Sequence, residues 1–202
     1  MRLFYLIGFT FLASVVPAVA HPGNGTIELF SGMMHPFSGF DHIFAMLGVG
    51  IWASQFSDKK RLVWPLSFLI SLSIGALLGL WIEPTQFVVL GFIELGIAIS
   101  IAVFGFAILF DNKTSLMSGS ALCAFFALFH GMAHGLECPS SITGLLYIVG
   151  VVLGSIALLS SGAILCLFLL YLRKNFRFFG LNVNSDVGQR IRTGSHEYTA
   201  TN

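Results

Sequence analysis

Five apolar runs, at residues 28–54, 62–81, 87–110, 116–134 and 143–171, occupy most of this chain. Each is long enough to cross a bilayer as a helix, which takes about 20 residues. In hydrocarbon every backbone N–H and C=O must be satisfied within the protein, so spanning segments are helices or strands of a closed barrel, and strands need only about 10 residues. The expected fold is therefore all-α, a polytopic transmembrane helical bundle of about five helices. Composition agrees: 56% of the 202 residues are hydrophobic and 9% charged, against about 25% charged in soluble domains, and mean hydropathy is +0.89.

The breaks between runs carry charge or proline: Ser57-Asp-Lys-Lys-Arg61, Glu83-Pro84-Thr85, Asp111-Asn-Lys113 and the loop Gly135 to Ser141. Pro36 and Gly39 loosen the start of the first run, whereas Pro65 sits in a first turn, where a missing N–H is tolerated. The fifth run exceeds an untilted crossing. Splitting it at Ser160-Ser-Gly162 leaves two short pieces with no charged turn between them, so it reads as one helix. Residues 1–20 read as a cleaved signal peptide, with Arg2, an apolar stretch and Pro17-Ala-Val-Ala20; the alternative is an uncleaved first span. Residues 21–178 form the membrane domain and 179–202 a polar, flexible cytoplasmic tail. Lys59, Lys60 and Arg61 share a side with Lys113, Arg173, Lys174 and Arg177 if there are five spans. By the positive-inside rule that side is cytoplasmic and the N-terminus extracytoplasmic, as in a bacterial inner membrane. The opposite side carries Glu28, Glu83 and Glu137 without Lys or Arg, an acidic mouth suited to a cation.

A net charge of +1 and the lack of a basic, aromatic-interleaved stripe point away from nucleic acid. No Gly-rich phosphate loop is present, so ATP bound to this chain drives nothing. Three widely spaced cysteines make no disulfide framework. Ser118 and Ser120 lie at the opposite end of the fourth run from its histidines, about 15 Å away for Ser120 and His130 at 1.5 Å per residue, so they form no catalytic dyad. The chain is not expected to be an enzyme.

Against this background the ionisable residues inside the spans stand out, because each is costly in lipid unless it faces protein, water or an ion. His35, Asp41 and His42 lie in the first run. On a continuous helix the two histidines, seven residues apart, fall nearly above one another, and Asp41 flanks them. His130 and His134 lie one turn apart near the end of the fourth run, and Glu137 extends their stripe. Glu94 lies about two turns into the third. Together they suggest a track from the outer face toward the membrane centre: His134, His130, His35, then His42 and Asp41, with Glu94 opposite. Imidazole donors suit nickel, cobalt, zinc or copper. His21, which cleavage would make the new N-terminus, and Cys138 are weaker candidate ligands; Cys123, Cys166 and the methionines read as packing residues.

The stretches His35-Pro-x-x-Gly39-x-Asp41-His42-x-x-Ala45-Met46-x-x-Val49-Gly50, Glu94-x-Gly-Ile-Ala-x-Ser100 and Phe129-His130-Gly131-x-Ala133-His134-Gly135-x-Glu137, after a secretory signal followed by His-Pro-Gly, resemble the HupE/UreJ family. The resemblance implies a nickel or cobalt permease associated with hydrogenase or urease maturation, with His35, Asp41, His42, Glu94, His130, His134 and Glu137 as its metal-handling residues. The chain departs from the family pattern after the fourth span, where it lacks a further histidine and a sixth segment. The leading expectation is import of a divalent transition metal ion as substrate, Ni2+ or Co2+ first. A membrane metal-holding, sensor or accessory module for metalloenzyme assembly is the alternative. A third reading is a structural subunit whose polar groups join helices. Membrane lipid is the surrounding partner, and glycine-rich spans suit a homo-oligomer.

Overall fold

Pro36 and Gly39 decide the course of the first apolar run. In the computed structural model, which describes residues 25–83, 85, 87–110, 113–139 and 144–178, that run is a broken helix. Helix α1 (Gly25–Met34) gives way to a 3-10 turn, His35–Phe37, and α2 (Phe40–Ser54) starts afresh from Gly39 in extended conformation. Proline brings no N–H to the ladder, so the turn tightens, and Ser38 N–H and Oγ–H both bond back to His35 O. The single helix expected over 28–54 is therefore replaced by two short ones. His35 and His42 occupy different elements and are not stacked on one helical face.

Four longer helices follow: α3 (Lys60–Gly79), α4 (Phe87–Phe110), α5 (Leu116–Leu136) and α6 (Gly144–Phe178). Among the described residues these four are long and apolar enough to cross a membrane, while α2 is a shorter apolar helix. The long fifth run is one helix. Ser115 caps α5, its Oγ accepting Ser118 N–H at 3.0 Å. The chain divides into two compact units, Met1–Cys166 and Leu167–Asn202. The described part of the second is the end of α6, and everything below concerns the first. The expected signal peptide, His21 and the expected tail from residue 179 lie outside the described residues.

Membrane helices gain little from the hydrophobic effect when they meet, so close van der Waals contact must hold them. Here glycines permit it. A Cβ on Gly131 would stand 2.1 Å from Leu72 O, one on Gly135 2.1 Å from Ala76 O, and one on Gly75 2.4 Å from Leu128 O. Helices α3 and α5 thus touch backbone to backbone. The same device fixes α1 and α2 on α6, where Gly150 faces Leu29 O, Gly154 faces Met33 O and Gly162 faces Leu47 O.

The buried stripe of α5, Gly119, Cys123, Phe126, Ala127, His130, Gly131, His134 and Gly135, has helical period. Its histidines therefore occupy core positions. Toward the Lys60 end the core is aromatic. Trp52 lies against Trp64 with ring centroids 4.1 Å apart, Phe104 is 6.2 Å from Trp52 and 5.7 Å from Phe126, and Gly119 leaves room for the Trp64 ring.

Candidate metal centre

The helix break and the α5 stripe bring four imidazoles together at one end of the bundle. His42 lies 4.4 Å from His134 and 4.9 Å from His130 between ring centroids, and His35 lies 5.0 Å from His134. His130 and His134 are fully buried. Glu137, just past the end of α5, meets His35 Nε2 through Oε2 at 2.5 Å.

Hydrogen bonds assign the histidine nitrogens. Asp41 Oδ1 accepts both the backbone N–H of His42 and its ring Nδ1–H, each at 2.8 Å. His42 Nε2 is then the bare nitrogen, and it is buried without a hydrogen-bond partner. Asp41 thus holds His42 from the flank, as carboxylates orient metal-ligating histidines. Gly39 makes this pairing possible, since a Cβ there would stand 2.6 Å from Asp41 Oδ1 and 3.2 Å from His42 Nδ1. Ser100 Oγ donates its proton to Ile97 O at 2.7 Å, so toward His130 Nε2, 2.9 Å away, it accepts. That leaves the lone pair of His130 on Nδ1, which is also buried and unpartnered. The same bonding makes Ser100 a poor nucleophile, because the neighbouring imidazole donates to it and does not take its proton.

For His134 both ring nitrogens are buried without a partner. A buried polar atom left unsatisfied costs about 1–3 kcal/mol. Several such atoms converging from α2 and α5 describe a place prepared for something that accepts lone pairs. Two groupings share His134. The donor atoms of His35, His134 and Glu137 lie within 4.8 Å of one another, and deeper, His42 contacts both His130 and His134.

The remaining candidates lie elsewhere. Glu94 is exposed on α4, whose buried stripe is Ile93, Gly96, Ile97, Ser100, Phe104 and Ala107; it does not stand opposite the histidines within one chain. Cys138 Sγ points to Gly144 O at 3.3 Å and Pro139 O at 3.7 Å and so ties the residues just past α5 to the start of α6. Burial and then the Glu28 carboxylate hold its thiol above the ordinary range, in the neutral form. The sequence reading missed Ser100 as the partner of His130, Gly39 as the space for Asp41 and His42, and Tyr147, whose ring lies 5.7 Å from His35. Of these, Gly39 and Ser100 lay inside the stretches that carry the family resemblance, and Tyr147 carried no signal.

Broken and glycine-packed apolar helices closing on buried imidazoles define a multi-pass helical membrane protein with a histidine-lined internal site. The HupE / UreJ protein family profile matches residues 9–186. A curated relative, Protein HupE of Rhizobium leguminosarum bv. viciae, is 32% identical over 154 residues, covering 74% of this chain and 76% of the relative. The chain belongs to the HupE/UreJ family. No solved structure matches it significantly.

Proposed function

We propose that the chain is a membrane permease that takes up a divalent transition metal ion, nickel or cobalt, through the histidine-lined end of the bundle. The observation that carries the reading is the set of buried, unpartnered imidazole nitrogens on His42, His130 and His134. Neutral imidazole is a good donor for both ions, and the family is associated with nickel or cobalt uptake and with urease or hydrogenase accessory roles. In this reading Glu137 and His35 receive the ion, His134 passes it inward, and His42 and His130 hold it deeper. Asp41 and Ser100 are positioning residues. The histidine end faces the extracytoplasmic side, and Lys59, Lys60 and Arg61 face the cytoplasm.

Self-association belongs to the same proposal. Glu94 lies about 10 Å along α4 at 1.5 Å per residue, exposed beside the exposed Phe92, Leu95 and Ala98. A carboxyl facing hydrocarbon is costly. A second copy presenting its own Glu94 supplies each acid with a donor and an acceptor. Zinc and copper are the competing ions for the same nitrogens.

The test is nickel and cobalt accumulation in sealed proteoliposomes, with bound metal counted separately, for the wild type and for His42→Ala and His134→Ala. Accumulation that both substitutions abolish supports the permease. A second reading, a metal-holding or accessory module, is favoured by the aromatic packing of Trp52, Trp64, Phe104 and Phe126 beyond the histidines, which offers an ion no ligands. It predicts binding without accumulation.

A further inference from the structure

Resting on the permease reading, we infer that Tyr147 is a fourth member of the His35, His134 and Glu137 grouping, where its hydroxyl holds a water that the entering ion retains and so favours ions that keep part of their hydration shell.

Tyr147 lies in the first turn of α6, 1% exposed. Its ring is tilted 59° to that of His35, with centroids 5.7 Å apart. Its hydroxyl is buried without a hydrogen-bond partner, and it lies within electrostatic range of Glu137 and Cys138. Such a hydroxyl, in a membrane protein whose other buried serine hydroxyls on α4 and α6 bond to backbone carbonyls, requires an explanation. Packing does not supply one. Phenylalanine would fill the same space without leaving a polar atom unmet. The backbone is also fixed, because Gly32 of α1 lies directly against Tyr147 O, where a Cβ would come within 2.0 Å.

A neutral phenol is a weak direct ligand for a divalent ion but both donates and accepts hydrogen bonds. Beside three protein donors it therefore suits a water on the ion better than the ion itself. Zn2+ prefers four ligands in a tetrahedron. Nickel and cobalt ions accept fuller shells that include water. A hydroxyl that stabilises a retained water thus discriminates by hydration, where the imidazoles alone discriminate little.

The experiment uses the full chain in proteoliposomes, with wild type, Tyr147→Phe and His134→Ala compared for nickel uptake alone and against zinc. Visible absorption of bound Co2+ is recorded in detergent. For Tyr147→Phe, the half-saturating nickel concentration should rise about five- to tenfold, the size of one ordinary hydrogen bond. The value for zinc should move little, so the nickel-to-zinc preference falls by a similar factor. The Co2+ bands should intensify as the ion loses a water and becomes more nearly tetrahedral. Unchanged preference and an unchanged Co2+ spectrum, with wild type active and His134→Ala inactive, overturn the role of Tyr147 and leave the permease reading standing. A wild type that binds no metal overturns both. Should Tyr147→Phe not fold, nickel-induced perturbation of tyrosine absorption in the wild type decides: a perturbation supports the contact and its absence refutes it.

Discussion

The two ends of this bundle are built from the same helices and satisfied in opposite ways. Toward Lys60, Trp52, Trp64, Phe104 and Phe126 fill the core, and the Trp64 Nε1–H donates to Leu116 O at 3.0 Å. Gln55 Nε2 donates to Ile108 O at 2.9 Å. Apart from the Ser54 hydroxyl, that end leaves little unmet. At the other end, α5 places His130 and His134 at stripe positions that Ala127 or Phe126 occupy elsewhere, and His130 Nδ1 and both ring nitrogens of His134 stay without a partner. A shared packing scheme therefore supports one half whose polar groups are nearly all met and one half whose buried nitrogens are not, and the proposed function rests on the second.

Substitutions at the two ends should have opposite consequences. Trp52→Ala removes a fully buried ring at the aromatic end and should cost about 3–5 kcal/mol of stability. Its metal affinity should hold. Thermal unfolding in detergent beside nickel titration checks both, and weakened binding at preserved stability would show that the two ends are coupled. His134→Leu should do the reverse. It removes two unpartnered buried nitrogens, so the fold should be as stable as before or more so, while nickel affinity falls roughly a hundredfold, about 2.7 kcal/mol. Equilibrium dialysis gives the affinity, and loss of stability instead would identify His134 as a structural residue.

Asp41→Asn addresses a finer point, since it keeps the shape and removes the charge that holds the Nδ1 proton of His42. Affinity should fall roughly tenfold, within the range for groups that orient metal ligands. The Co2+ absorption of the variant should broaden as the imidazole loses its fixed orientation, a change that a merely structural aspartate would not cause.

These predictions also mark what a sequence of this kind discloses. His42, His130 and His134 were legible because an imidazole in an apolar run has few explanations, and an i, i+4 pair on one helix keeps its spacing when folded. His35 reached the same cluster by a different route from the expected one. Its register with His42 assumed a continuous helix, whereas Pro36 and Gly39 turned the chain and delivered the ring to His134 and Glu137. Glu94 was legible as an anomaly but not in its direction. Helix α4 is apolar on every side, so nothing in its pattern distinguishes a core-facing position from its neighbour about 100° around. Ser100 was named in the family motif but its partner His130 was not legible, and Tyr147 was silent, because serine and tyrosine are common in membrane helices and only a neighbour from another helix shows what they face.

The smallest effect concerns Cys138, which lies next to Glu137 and so at the edge of the proposed site, yet bonds only to backbone carbonyls. Burial and the nearby Glu28 carboxylate both oppose the thiolate, so its pKa lies above the ordinary thiol value. The sign follows. A group that folding makes harder to deprotonate contributes stability while it keeps its proton, and that contribution is lost as pH rises through the raised pKa. At neutral pH the S–H donates to Gly144 O at the start of α6. Maleimide labelling of Cys138, in a chain with Cys123 and Cys166 replaced by alanine, should therefore be slow at pH 7 and accelerate only at a pH above that at which a free thiol does. Nickel should neither protect the thiol nor produce a sulfur-to-nickel absorption band, and Cys138→Ser should leave affinity unchanged. Protection by nickel would instead add Cys138 to the proposed site, one residue beyond Glu137.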